Sequence, residues 1–338
     1  RQALAGNRQL VVLEGEAGIG KSRVCWALLE RLAGEDCHQG LWQCSPYHTS
    51  NPLYPVARYL WRCIGLRAGH GDAGEIRRRV GQWLAQMLPA TPDSVARLAE
   101  LLGSDGAAMA PRLSSQEWRT RILEVLIQWL LGQVRRRPLL LMVEDLQWLD
   151  PSTRELLSLL LERADGVGLL LVATSRPVEV CVLDTVPPPR RLHLGRLERD
   201  ATLALLDSLC KGKQLPAAMR EEIGARTDGV PLFVEELTRA VLESELLRET
   251  DDAYELNGPW RTLDIPQSLQ DSLLARLDRL ADGKSVAQTA ACIGREFSRE
   301  VLRAVIQWPP QALDRNLDRL CAAGLLERRG VEPPVFGF

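Results

Sequence analysis

Eight consecutive residues, Gly15-Glu16-Ala17-Gly18-Ile19-Gly20-Lys21-Ser22, carry the strongest chemical signal in the chain. They fit the spacing G-x-x-x-x-G-K-[ST] of a loop that wraps phosphate groups. Glycines suit such a loop because its backbone must pass close to the phosphates and adopt positive φ. Exposed N–H groups and the N-terminus of a following helix then favour a bound anion. In that arrangement Lys21 lies against the β- and γ-phosphates of a nucleotide and the Ser22 hydroxyl ligates Mg²⁺. Arg23, next in line, is counted with the nucleotide-binding residues.

Two other clusters could complete the chemistry. Glu144-Asp145 follows the apolar run Leu139–Val143. Carboxylates at the carboxyl end of a central strand point into the crevice where open α/β sheets bind ligands. One acid can hold Mg²⁺, directly or through water, and the other can orient or deprotonate an attacking water. The residue types alone do not divide these two roles. A third run, Leu169–Ala173, leads into Thr174-Ser175-Arg176-Pro177. From that strand end Arg176 could read the γ-phosphate from the side opposite the loop; the plain alternative is a solvated arginine.

The elements that must position these residues follow from the apolar pattern. Leu10–Leu13 is a short continuous apolar run before the Gly-rich turn, the pattern of a buried parallel strand. A helix is expected from Lys21 to Leu32 and a second strand near Leu41–Cys44. The stretch 46–106 reads as helical and loop-rich. Ile122, Leu123, Leu126, Ile127 and Leu130 mark an amphipathic helix that closes at Arg135-Arg136-Arg137. Asp150 then caps a helix with Pro151 at its first position. With Arg191–Leu194 as a last short strand, the alternation of strands and helices predicts a doubly wound α/β domain over residues 1–195. Beyond Gly195 the pattern turns all-helical, to about residue 262. A polar linker is expected at Tyr254–Pro266, then a helix marked by Leu269, Leu273, Leu277 and Leu280. Further helices are expected at Lys284–Ile293 and Gln311–Ala323, giving a third region, 263–338.

Composition narrows the function classes. The chain has 338 residues, 46% hydrophobic and 25% charged, with a formal net charge of -2, so no general basic excess points to nucleic acid. No apolar run is long enough for a membrane span and no signal peptide is apparent. The eight cysteines form no C-x-x-C pair and read as reduced, mostly buried thiols, which implies the cytoplasm. The four histidines lack ligand spacing for zinc. Trp26, Trp61, Trp83, Trp118 and Trp129 all read as core residues on helical faces.

Taken together, the motifs resemble those of the STAND group of P-loop ATPases, related to AAA+ proteins. More narrowly, they are similar to the ATPase modules attached to bacterial class III adenylate/guanylate cyclases and some large transcriptional regulators. The resemblance is carried by Gly15–Ser22, by Cys44-Ser45-Pro46-Tyr47-His48 with Leu53-Tyr54-Pro55, and by Glu144-Asp145-Leu146-Gln147-Trp148-Leu149-Asp150. Thr174–Pro177, Gly229–Leu237 and Ala291–Phe297 complete it, so it covers nearly the whole chain. It implies a five-stranded P-loop NTPase sheet flanked by helices, then a small helical domain, then a winged-helix domain. It also implies that Gly229 and Pro231 open a helix whose start contacts adenine, and that ATP, ADP and Mg²⁺ are the ligands. The implied activity is slow ATP hydrolysis that switches an output domain, cyclase or transcriptional regulator, in a larger chain, with nucleotide-dependent self-association. A nucleotide-retaining scaffold is the alternative. A DNA-reading winged helix is disfavoured, because Arg276, Arg279, Arg295 and Arg299 are interspersed with Asp271, Asp278, Asp282 and Glu296. Two departures stand out: Glu144 occupies the position where Asp is common, and Gln147 stands where many relatives have His. Arg1–Leu4 would lie inside a helix before the first strand, and Val335–Phe338 inside the last hairpin, so the third domain is expected to be incomplete.

Overall fold

The computed structural model describes residues 3, 6–66, 71–86, 91–103, 115–177, 183, 188–242, 247–257, 277–278, 280, 282–294, 296–329 and 335–338. They form two compact units, Arg1–Gly195 and Arg196–Phe338.

The first unit is built on five parallel strands in the order β2-β3-β4-β1-β5. These are β1 (Gln9–Glu14), β2 (His38–Gln43), β3 (Leu139–Glu144), β4 (Leu169–Ser175) and β5 (Arg190–His193). Strand β3 is buried at every position because helices cover both faces of the sheet. Its side chains alternate: Leu139, Leu141 and Val143 enter the large core, whereas Leu140 and Met142 pack with Cys25 on the other face. Helix α1 (Lys21–Arg31) lies on that second face. The large core takes in α2 (Tyr54–Cys63), α3 (Ala73–Ala85), α4 (Pro92–Leu101), α5 (Ser115–Arg136) and α6 (Pro151–Arg163). The expected amphipathic helix is α5, with Ile122, Leu123, Leu126, Ile127 and Leu130 all buried.

Three expectations need correction here. The second strand begins at His38 rather than near Leu41, because β2 is an edge strand whose pairing with β3 runs from His38↔Leu139 to Gln43↔Glu144. A sheet edge accepts polar residues that an apolar-run criterion passes over. Trp26 is not a core residue: it is 50% exposed, because α1 turns its Cys25 side to the sheet. Trp61, Trp83 and Trp129 are buried as expected, and Trp118 is partly buried. The thiols are less uniformly buried than expected: Cys25, Cys44 and Cys210 are buried, Cys292 is exposed, and Cys181 lies outside the described residues.

The second unit begins with α7 (Arg199–Leu209), α8 (Ala217–Thr227) and α9 (Pro231–Leu242) around Leu206, Ile223, Val234 and Leu237. It is not all-helical: Leu247–Glu249 pairs antiparallel with Tyr254–Leu256, a hairpin inside the stretch expected to be helix and linker. Leu269 and Leu273 lie outside the described residues. Farther on, helices Asp282–Ile293, Arg299–Val305 and Pro310–Ala322 share a core with Phe297 and Phe336. Strands Glu296–Ser298, Val335–Gly337 and Glu327–Arg329 form an antiparallel sheet with the middle one central. Neither the Arg299–Val305 helix nor the strands at 296–298 and 327–329 is visible in the residue pattern, each being too short to show a period. Arg276, Arg279 and Arg295 lie outside the described residues, and Arg299 is paired with Asp314. Among the described residues no helix is long and apolar enough to cross a membrane.

Candidate functional site

The loop between β1 and α1 is shaped by backbone conformation. Gly18 and Gly20 have φ of 77° and 98°, the left-handed region that side-chain-bearing residues avoid. Gly15 is constrained by space, since a Cβ there would lie 2.8 Å from both Ile19 Cγ2 and the Leu194 carbonyl oxygen. The Gly15 N–H donates to the Ser175 carbonyl at 3.3 Å, tying the loop to the end of β4. Ile19 is buried beneath the loop while Glu16, Ala17, Ser22 and Arg23 are exposed. Gly20 starts α1 without a side-chain cap, so no side chain takes up the first amides of the helix.

Lys21 is the first residue of α1 and only 8% exposed. Its Nζ donates to the carbonyl oxygens of Gly15 and Glu16, each at 2.8 Å. Burial pushes its pKa below the ordinary lysine value, Asp145 pulls it back up, and Arg176 pushes it down. Electrostatics therefore joins the loop to the two strand ends singled out by sequence.

Those strand ends are built from side chains. Glu144 is the last residue of β3 and follows Met142 in the alternation, which puts it on the α1 side of the sheet. It is 5% exposed, and its Oε2 accepts from Gln43 Nε2 at 3.3 Å. Its charge helps burial raise the Cys25 thiol on α1 to a pKa of about 12. Asp145 leaves the strand at φ 63° and turns away. Its N–H donates to Thr174 Oγ1 at 2.9 Å, and its Oδ1 accepts from Gln147 Nε2 at 3.0 Å. Gln147 Oε1 in turn accepts the Arg176 N–H at 3.2 Å. The exposed Arg176 guanidinium lies over the Trp148 ring, 5.3 Å from its centroid. The structure thus links Asp145 and Arg176 through Gln147, within electrostatic reach of Lys21, with Glu144 on the α1 side.

Asp150 does more than cap α6. Its Oδ1 accepts from the N–H groups of Ser152 and Thr153, as the cap predicts, and also from Leu53 N–H at 2.9 Å. Its Oδ2 accepts from Thr153 Oγ1 at 2.6 Å. Leu53 is held at φ 59°, at the end of a segment in which His48 stacks on Tyr54 at 3.9 Å. Cys44, at the start of that segment, donates its N–H to the Glu144 carbonyl, and burial beside Asp150, Asp145 and Glu144 raises its thiol to about 12. One carboxylate therefore joins the 44–55 and 144–150 blocks. Gln43, the bond from Asp145 to Thr174 and Asp150's second partner were missed by sequence reasoning, since the paired residues lie 101, 29 and 97 positions apart.

Gly229 and Pro231 belong to the second unit. Gly229 has φ 70°, and a Cβ on it would lie 2.2 Å from the Leu197 carbonyl oxygen; its own carbonyl accepts from Leu197 N–H at 2.8 Å. Pro231 is the first residue of α9.

Comparison with known proteins adds an independent line. A family model described as an AAA ATPase domain matches residues 1–172. An uncharacterized protein of Rhizobium meliloti (strain 1021) is 28% identical over 333 residues, which is 96% of this chain and 31% of that protein. The chain therefore spans under a third of the length of this curated relative. The crystal structure of a signal transduction ATPase with numerous domains (STAND) protein with a tetratricopeptide repeat sensor, from Pyrococcus horikoshii, is similar in fold. Its TM-score is 0.50 at 12% identity, over 99% of this chain and 40% of that one.

Proposed function

This chain belongs to the AAA ATPase domain family, and from that premise we propose that it binds ATP with Mg²⁺ and hydrolyses it slowly, as a regulatory switch within a larger protein. The observation that carries this reading is the loop itself, with Gly18 and Gly20 left-handed and a buried Lys21 at the head of α1 that feels the charges of Asp145 and Arg176 at two neighbouring strand ends.

The residues fit the ligands. Left-handed Gly18 and Gly20 leave a loop of backbone amides, and a side chain at Gly15 would fill the space beneath it. The Ser22 hydroxyl, Glu144 and Asp145 are hard oxygen donors of the kind Mg²⁺ takes. When bound, Mg²⁺ neutralises charge that builds on the phosphate oxygens. Glu144, on the α1 side with Ser22, is the acid we assign to the metal. Asp145, held by Thr174 and Gln147, is the acid we assign to the attacking water. Water then attacks the γ-phosphorus as its bond to the β–γ bridging oxygen breaks. Loop amides and Lys21 stabilise the growing charge, and Arg176 senses the γ-phosphate. Switching follows if the ATP and ADP states differ in their affinity for an output region, including by self-association.

The test is nucleotide content and turnover of the purified chain. ATP or ADP released on denaturation, with Mg²⁺-dependent hydrolysis that Lys21→Ala removes, is the expected result. Bound nucleotide with no turnover would instead favour a nucleotide-retaining scaffold. A chain that neither carries nor takes up nucleotide would sink the proposal.

A further inference from the structure

We propose that Gln147 is a positioning residue for the hydrolysis, locking the Asp145 carboxylate and the Arg176 backbone into one unit. The inference rests on the ATPase reading above and deepens it.

The carboxamide is used at both ends. Nε2 donates to Asp145 Oδ1 at 3.0 Å while Oε1 accepts the Arg176 N–H at 3.2 Å. Asp145 is otherwise poorly held for its task. Its backbone sits at φ 63°, outside the strand, and its described restraints besides Gln147 act on the main chain, through Thr174 Oγ1 and the Trp148 N–H. Gln147 alone among the described bonds fixes the carboxylate itself. Its own position is set by the single 3₁₀ turn Leu146–Trp148, closed by the Trp148 N–H on the Asp145 carbonyl and the Leu149 N–H on that of Leu146. The same turn carries Trp148 beneath the Arg176 guanidinium. The backbone and the side chain of Arg176 are thereby both held by neighbours of Asp145. A shift of either strand end is transmitted to the other through a bridge of two hydrogen bonds.

The chemistry of the bridge restricts what can replace it. A donor must face the carboxylate and an acceptor must face the amide N–H. Leucine supplies the shape and neither bond. Glutamate keeps the acceptor but sets a second negative charge against Asp145. Neutral histidine has one donor and one acceptor nitrogen, whereas protonated histidine has two donors and cannot receive the Arg176 N–H.

The experiment measures ATP affinity and steady-state turnover from pH 6 to pH 8.5 for the parent, Lys21→Ala, Gln147→Leu, Gln147→Glu and Gln147→His. Gln147→Leu is expected to lose about tenfold in turnover while ATP affinity stays within about threefold. Gln147→Glu is expected to lose more. Gln147→His is expected to recover most of the turnover at pH 8.5 and to fall about threefold relative to the parent by pH 6. Asp145 and Arg176, the groups that Gln147 bonds, are the same in parent and variant, so the ratio at each pH isolates the imidazole. A Gln147→Leu variant as fast as the parent would overturn the inference, as would one whose affinity falls in step with turnover. A Gln147→Glu variant as fast as the parent overturns it as well, without depending on how the leucine variant folds. A parent with no Lys21-dependent turnover refutes the ATPase reading itself and removes the ground of this one.

Discussion

Two stretches border the crevice at the carboxyl edge of the sheet, and they are built in opposite ways. Gly15–Ser22 is shaped mainly from within, by two left-handed glycines, a buried Ile19 and a lysine folded onto two carbonyls of its own loop, with one outside tie from the Gly15 N–H to Ser175. Glu144–Asp150 is shaped from outside. Glu144 meets Gln43 on β2, Asp145 meets Thr174 on β4, Gln147 meets the Arg176 amide, and Asp150 meets Leu53. A loop held mostly by its own residues keeps most of its geometry wherever a strand and a helix hold its ends. A stretch tied to three distant segments has a geometry only when the whole unit is folded, so damage to any partner reaches the acids.

The contrast can be broken at several points. The largest expected effect is in the loop itself: Lys21→Ala should weaken ATP binding about a hundredfold, measured by calorimetry, because charge-assisted bonds to phosphate are lost. The melting temperature should barely move. Asp150→Ala should do the reverse, costing about 3 kcal/mol of stability in chemical denaturation, since a buried acceptor serving four donors disappears. The same variant sharpens the comparison further. Alkylation followed by mass spectrometry should find Cys44 newly reactive, its segment released, while Cys25 behind the loop stays protected with its thiol near a pKa of about 12. If both thiols opened together, the two stretches would not be independent. Thr174→Val should be milder, about 1 kcal/mol, leaving the Asp145 amide without its acceptor. It should lower turnover more than ATP affinity. Arg176→Ala should have the smallest effect on stability, about 0.5 kcal/mol, because the guanidinium over Trp148 is exposed. A Trp148 fluorescence change in Arg176→Ala, absent when Trp148 is replaced by Phe, would confirm that the stacking exists in solution.

How much was legible follows the same division. The phosphate loop, the strands β1, β3 and β4, and the cap at Asp150 could be read directly, since each is set by residues within a few positions of one another. The edge strand β2 was misplaced because its polar His38 and Gln39 give no apolar run. The 247–256 hairpin went unseen because two three-residue strands display no period. Trp26 was assigned to the core because α1 offers apolar residues on more than one face, and only packing against the sheet decides which face is covered.

The sequence by itself determined a glycine-rich loop of the phosphate-binding pattern between a strand and a helix, with acids and an arginine at the ends of two further buried strands. Spacing suffices there because the conformation is local: glycines permit positive φ, and apolar runs demand burial. The tertiary structure alone decided how the two acids differ. Strand alternation turns Glu144 toward α1, while the left-handed turn at Asp145 carries its carboxylate to Gln147. It also decided that Asp150 joins two blocks some hundred positions apart. Hydrogen bonds between segments depend on sheet order and register, and no local pattern encodes either.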